Sequence, residues 1–353
     1  MTFVEALHDH TKSCPKSTAF IVGEDVWTDE RLTAEVECVA RGLARLGLRE
    51  GNRVVLHMLN TAELVVAYYA CLGIGAIVAP LNTRLKAAEL RPLLERLQPA
   101  LYIGHADLYR HIAAMDASII PLKARYIVGG SPVNDPCVQP WRRLLENCAV
   151  DHAPLAPDVH SPAVLLATSG TTGQPKFAIH TKATLSAITA SARQMGLDDR
   201  QIAMIALPLV HGYGLFTFLA CLLVGIPVVL LERFDPDVAL DAIERHRCSW
   251  IPAVPAMFAA LVEHQQARPR NVRHLQTCLS SGDVCPLQLQ EQFLAVFGTP
   301  LRSFWGATEA AGSLTYGCRP GPVSRIVKGA QVRLIDDCGV PGPLELLVSN
   351  GGR

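Results

Sequence analysis

The chain has 353 residues, 50% of them hydrophobic, and its 32 Lys and Arg balance 32 Asp and Glu. That supplies core for a large enzyme domain with subdomains, and the zero formal net charge excludes the broad basic field of a nucleic-acid or anionic-membrane binder, so a small ligand is the expected partner. The 11 cysteines form no CxxC pair and no Cys/His cluster at zinc spacing, and an odd number argues against a disulfide framework. Mostly buried thiols in a cytoplasmic protein are expected, because residues 1–12 carry Glu5 and Asp9 and lack an apolar signal core.

In chain order, Leu32, Val36, Val39, Leu43 and Leu46 recur at helical spacing, and RVVLHML at 53–59 follows the turn Glu50-Gly51-Asn52 as a strand. The uncharged run 64–81 has the length of a membrane span, but Gly73-Ile74-Gly75 interrupts it. It reads as a buried helix, a tight turn and a buried strand. A helix is predicted over Ala87–Leu97, between strands at LYIGH (101–105) and RYIVGG (125–130). Residues 131–160, rich in Pro and Asp, read as a surface connection, after which AVLLATSG (163–170) opens a second series. The second uncharged run, 214–231, is broken at Gly225-Ile226-Pro227 and reads like the first, so no membrane span is predicted. From 323, two strand-like runs flank Asp337-Cys338-Gly339. Alternating strands and helices predict an α/β fold: two doubly wound subdomains, about 1–150 and 161–320, and the start of a small β unit at 321–353.

Directly after an apolar run stands TSGTTGQPK, Thr168 to Lys176. Backbone N–H groups of a Gly-rich turn, several hydroxyls and one lysine can surround phosphate oxygens with donors and a fixed positive charge. A P-loop of the form GxxxxGK[ST] fails here at two positions, Pro175 for the second glycine and Phe177 for the Ser/Thr that holds magnesium. A flexible Ser/Thr/Gly loop with no ligand is the other reading.

TSGTTGQPK resembles the phosphate-binding signature of the acyl-adenylate-forming superfamily, and four further segments resemble that family in the required order. They are LPLVHGYGL (207–215), VPAMFAALVEH (254–264), SSGDVCP (280–286) and FWGATEA (304–310), while residues 47–82 are similar to the family's first subdomain. The resemblance implies an AMP-forming acid–thiol ligase of the acyl-CoA synthetase type. A carboxylate attacks the α-phosphorus of ATP to give acyl-AMP and pyrophosphate, and a thiol of coenzyme A or of a carrier protein's phosphopantetheine then displaces AMP. Carried over, Thr168, Ser169, Gly170, Thr171, Thr172 and Gly173 hold the β and γ phosphates with Lys176 as counter-charge. Thr308 bonds the α-phosphate, Glu309 ligates Mg2+, Trp305 and Gly306 with the backbone of Gly282, Asp283 and Val284 receive the nucleotide, and His211, Gly212, Tyr213, Gly214, Gly306 and Ala307 form the acyl pocket. These pocket residues include no cation, so a neutral acyl or aryl acid is favoured.

His211 is equally readable as a core histidine, and Trp305 as ordinary packing. Glu309 is harder to read as structural, since burying a lone carboxylate is costly. Phe177 replaces a family glycine, Asp283 either accepts from the adenine amino group or faces water, and GPLELLVSNGGR ends the chain where the family continues into a hinge and a mobile C-terminal lid. An incomplete large domain with the lid absent is therefore expected, as a fragment or as a natural short protein, slow in adenylation and unable to finish thioester transfer. The alternative is a non-catalytic nucleotide- or acyl-AMP-binding module acting as a regulatory partner. Oligomeric state is not legible.

Overall fold

The computed structural model describes residues 3–130, 135, 138–146, 158–168, 176–317, 321 and 324–333. The chain divides into two compact units, one of residues 1–19, 26–186 and 208–211, the other of 20–25, 187–207 and 212–353.

In the first unit seven strands form one sheet, in the spatial order Val138–Pro140, Arg125–Val128, Leu101–His105, Arg53–His57, Ile77–Pro80, Pro162–Thr168, Lys176–Thr181. All neighbours are parallel except the last pair, an antiparallel hairpin. The run 64–81 resolves as the breaking signals require. Thr61 caps the helix Ala62–Gly73 by accepting from Leu64 N at 3.3 Å, and Gly75 turns the chain at φ +75° into the buried strand Ile77–Pro80. Helix Ala87–Leu97 lies where its spacing placed it and buries Leu90, Leu93, Leu94 and Leu97 against Val55, Ala79, Tyr102 and Ile127. Two expectations shift. Leu46 ends up as the exposed C-cap of helix Asp29–Arg45 instead of on its buried stripe. Within the supposed surface connection, Val138–Pro140 adds a strand to the sheet, and Trp141 and Leu144 are buried. Gly42 exists for that packing, since a Cβ there would stand 2.3 Å from the Leu144 carbonyl oxygen.

In the second unit the order is Ser324–Ile326, Gly312–Gly317, Leu301–Ala307, Thr277–Ser280, Trp250–Ala253, Ala203–Ile205, Val228–Leu230, then Thr18–Val22, whose Phe20–Val22 pair with Val228–Leu230. The six strands from Leu301–Ala307 onward are mutually parallel, and the first two are antiparallel additions. The run 214–231 again becomes a helix, Gly212–Val224, a left-handed Gly225 at φ +82°, and a buried strand, Val228–Leu230. Helices Pro236–His246, Pro255–Ala267 and Leu287–Phe297 cover one face of this sheet through a cluster that includes Leu240, Ile243, Phe258, Leu261 and Phe293. Parallel strands with helices on their faces make this an α/β fold, as the alternation predicted. Among the described residues no helix is long and apolar enough to cross a membrane. Most described cysteines are free thiols, but Cys38 is disulfide-bonded, a departure at one position from the thiol expectation.

Candidate active site

In open α/β sheets ligands settle at the carboxyl ends of the parallel strands. In the second unit those ends carry several of the sequence's candidates. Strand Thr277–Ser280 runs into Ser281 and Gly282, the latter at φ +87°, and the parallel strand Leu301–Ala307 runs into the short 3-10 turn Thr308–Ala310. Ser280 pairs with Ser303, so Gly282 and Trp305 each lie two residues beyond that pairing. Trp305 is 53% exposed and Val284 74% exposed, an uncovered indole and an uncovered aliphatic group on the open end of the sheet. Asp283 is exposed as well and accepts a hydrogen bond from Val284 N at 2.7 Å, which favours the water-facing reading while leaving its other oxygen free of any described bond.

The backbone around Thr308 is under tight steric control. Gly306 pairs with Ser313 on the antiparallel strand Gly312–Gly317, at a register shift, and a Cβ at Gly306 would stand 2.4 Å from the Gly312 carbonyl oxygen. No side chain fits there, which explains the glycine after the aromatic residue. The turn then closes through Ala311 at φ +51° and Gly312 at φ +148°. Its product is the placement of Thr308 against the start of helix Gly212–Val224: a Cβ added to Gly212 would lie 3.2 Å from Thr308 Oγ1 and 3.1 Å from Phe216. The first-turn N–H groups of that helix have no intrahelical acceptor and carry the positive end of the helix dipole. A hydroxyl beside them completes a donor set that suits an oxyanion.

Beside Thr308 opens a cavity of about 160 Å³. Its wall includes Tyr213, Gly306, Ala307, Ser281 and Gly282, and it contains no charged side chain. Tyr213 is fixed by donating its hydroxyl to Leu279 O at 2.8 Å and by an edge-to-face contact with Phe304, centroids 5.0 Å apart. Burial pushes its pKa well above the ordinary tyrosine value, so the donor persists at any working pH. Gly214 is buried in the first turn and its carbonyl accepts from Thr217 Oγ1 at 3.0 Å. Much of the remaining wall was not predicted: Ile188, Ser191 and Ala192 from helix Lys182–Gln194, Met195 just after it, Phe216, Thr217 and Ala220 from the next helix, and Trp250 from a strand. Only their apolar periodicity was visible, and that pattern marks core as readily as cavity.

Glu309 is exposed in the turn after Thr308. The cost of burying a lone carboxylate, which had counted for a metal role, therefore does not arise, and the adjacency to Thr308 is what supports it. Among the described residues no group of three or more His, Cys, Asp or Glu is arranged to hold a metal. An exposed carboxylate next to the Thr308 hydroxyl still offers the kind of hard oxygen ligand that a magnesium ion takes alongside water.

The first unit carries the rest. Thr168 and Lys176 are the facing pair that closes the hairpin Pro162–Thr168/Lys176–Thr181, and Lys176 is exposed. Ser169, Gly170, Thr171, Thr172 and Gly173 lie outside the described residues. Phe177, the departure from glycine, turns its ring to the opposite face from Ala178, where it packs on the apolar cluster of Leu94 and Ile127 with the Arg96 guanidinium 5.9 Å from its centroid. It anchors the hairpin stem. His211 is exposed, and the protein bulk around its ring and then the charge of Arg84 push its pKa below the ordinary histidine value. Its segment is held from behind by two buried residues that sequence reasoning missed: Asn60 Oδ1 accepts from Leu209 N at 2.8 Å and Tyr68 donates to Leu209 O at 3.0 Å. Burial lifts the Tyr68 pKa well above its ordinary range, which keeps that donor protonated.

Residues 7–348 match the AMP-binding enzyme family. The chain belongs to this family. Relatives of this AMP-binding enzyme include a methyl-dioxo-octahydro-indenyl propanoyl:CoA ligase of Mycobacterium tuberculosis, 30% identical across 100% of this chain and 69% of that protein. A 4-hydroxybenzoate/benzoate CoA ligase of Rhodopseudomonas palustris is 28% identical over 88% of this chain and 59% of its own length. Among solved structures, an anthranilate CoA ligase in complex with anthranoyl-AMP shares the fold with a TM-score of 0.90 at 21% identity, over 97% of this chain and 68% of that one. The o-succinylbenzoate CoA synthetase of Bacillus subtilis, in complex with its acyl-adenylate, gives a TM-score of 0.80 at 25% identity, over 96% and 66%. The chain thus spans from about three-fifths to somewhat over two-thirds of the length of these four.

Proposed function

We propose that this AMP-binding enzyme joins a small neutral carboxylic acid to the α-phosphate of ATP, releasing pyrophosphate, and passes the acyl group to a thiol of coenzyme A or of a carrier protein. The observation that carries the proposal is Thr308 Oγ1 placed at the N-terminus of helix Gly212–Val224, beside an uncharged cavity at the carboxyl ends of parallel strands. Bringing a carboxylate to a phosphate sets two anions together, and the barrier falls where fixed donors meet the charge that builds on the α-phosphate. Thr308 and the helix N-terminus are the donors of the second unit. Lys176 and Thr168, with the loop they close, would take the β and γ phosphates, so that negative charge on departing pyrophosphate meets a lysine. Glu309 would hold Mg2+, which when bound neutralises phosphate charge. Trp305 offers a flat face to adenine, with Gly282, Asp283 and Val284 along the neighbouring edge and Gly306 keeping the backbone close.

The cavity supports the substrate class. Space near 150 Å³ admits one benzene-sized ring, and the uncharged wall favours an acid with no second charge. Some relatives are CoA ligases of 4-hydroxybenzoate, benzoate or 4-coumarate, all single-ring acids.

Purified chain would be incubated with ATP, Mg2+ and benzoate or 4-hydroxybenzoate, with pyrophosphate and phosphate assayed separately. Acid-dependent pyrophosphate release is expected, reduced about 100-fold or more in Thr308→Val because a transition-state donor is removed. Release of phosphate in place of pyrophosphate, or full activity in Thr308→Val, would refute the reading.

A further inference from the structure

Helix Leu287–Phe297 buries Leu289, Gln290, Phe293 and Phe297. Positions 290, 293 and 297 share one stripe at helical spacing, where an apolar side chain is the default. Gln290 is nevertheless only 2% exposed, so its amide sits where an unpaired polar group would be costly. Both ends of that amide are paired. Nε2 donates to Cys285 O at 2.9 Å, and Oε1 accepts from Gly321 N at 2.9 Å. One partner can only accept and the other only donate, which fixes the orientation of the amide.

The two bonds join parts of the candidate site's frame. Cys285 directly follows Gly282, Asp283 and Val284, at the exit of the loop that leaves strand Thr277–Ser280. The entry of this loop is tied to the sheet by Ser281 N, which donates to Ala253 O at 3.3 Å. At the exit, Pro286 has no N–H to offer, and as the N-cap of the helix it makes no side-chain bond. The Gln290 amide supplies the tie there. Its other partner, Gly321 at φ +114°, lies between strands Gly312–Gly317 and Ser324–Ile326, and the first of these strands pairs with Gly306 and Ala307 just before Thr308. Packing alone would be met by leucine or methionine, with no amide to desolvate, so the two bonds are what a glutamine adds at this position.

We propose that Gln290 is a positioning residue that fixes the loop Ser281–Pro286 for the base of the nucleotide and couples it to the backbone at Gly321. This rests on the reading that Gly282, Asp283 and Val284 receive the nucleotide. A loop tied only at its entry would pivot about the left-handed Gly282, at φ +87°, and lose its alignment with the base. Contacts to ribose and phosphate made by other segments would remain.

The test is calorimetric binding of AMP and of UMP to the full chain, in wild type and in Gln290→Met, which keeps the length of the side chain but neither bond, at a temperature where circular dichroism shows both folded. Wild type is expected to prefer AMP. In Gln290→Met the AMP dissociation constant rises about three- to tenfold, the net effect of one hydrogen bond, while that of UMP stays within about twofold of wild type. A role confined to stability would lower the unfolding midpoint and leave the ratio of the two constants unchanged. Should the variant fail to fold, amide hydrogen exchange on wild type decides: AMP is expected to slow exchange at Gly321 together with the loop amides. An AMP-to-UMP ratio that survives in Gln290→Met, or a slowed loop with an unchanged Gly321 amide, would overturn the proposal. Equal binding of AMP and UMP by wild type would overturn it together with the nucleotide assignment of the loop. An AMP preference lost in the variant, in a wild-type chain that releases no pyrophosphate, would instead refute the proposed reaction and leave the role of Gln290 standing.

Discussion

Gly306→Ala adds one methyl group at the most constrained point of the site. That carbon would stand 2.4 Å from the Gly312 carbonyl oxygen, 3.1 Å from its carbonyl carbon and 3.2 Å from Ser313 Cα. Every one of these is backbone of the adjacent strand, so no side-chain rotation relieves the clash. Restoring ordinary contact requires the strands to part by about 1 Å, which is enough to break the nearest one or two ladder hydrogen bonds at about 1 kcal/mol each, for a loss near 1–3 kcal/mol. The Gly306–Ser313 and Ala307–Gly312 pairings position the turn that carries Thr308 and Glu309. A displacement of about 1 Å in a positioned group costs about 100-fold in rate. Urea unfolding and acid-dependent pyrophosphate release, measured on the same preparation, check both numbers. A Gly306→Ala chain within about 0.5 kcal/mol and twofold of wild type would refute the view that this pairing fixes the site.

Phe177→Gly, which restores the family residue, is expected to lose about 1–3 kcal/mol from lost packing on the cluster and on Arg96, without faster pyrophosphate release; a variant as stable as wild type in urea contradicts the anchoring role. Ala311→Gly removes a left-handed alanine at φ +51° and is expected to raise stability by up to about 1 kcal/mol, read as a higher unfolding midpoint. His57 is 0% exposed with Nδ1 2.9 Å from Tyr102 OH, and burial, then the charge of His111, pushes its pKa down to about 4. The unfolded chain protonates this histidine first, at a pH of about 6.5, so its contribution is intact above that pH and is lost as pH falls toward the folded value. The full loss is on the order of 3 kcal/mol, and the difference in unfolding free energy between wild type and His57→Gln should shrink by that amount from pH 7.5 to pH 4. A difference that stays constant across that window excludes the assignment.

What could be read from the sequence was local. The left-handed Gly75 and Gly225 end helices whatever the distant packing is, which is why two span-length uncharged runs could be divided correctly into helix, turn and strand. The motif order LPLVHGYGL, SSGDVCP and FWGATEA led to the family, because its glycines and its threonine answer local demands of turn and strand end. Phe177 was legible as a substitution but not as an anchor. Which way its ring points depends on register with Ala167, and what it meets depends on a helix some eighty residues earlier, Ala87–Leu97. Trp250 was invisible as a site residue for the same reason: a large apolar residue on a buried strand fits core and cavity equally until the elements facing it are in place. Asn60 and Tyr68 likewise act on Leu209 from far away in the chain. The sequence by itself determined turns, caps and motifs, whose energetics close within a few residues. Only the tertiary structure decided the cavity and the direction of each anchor, because these arise where faces of elements distant in the chain meet.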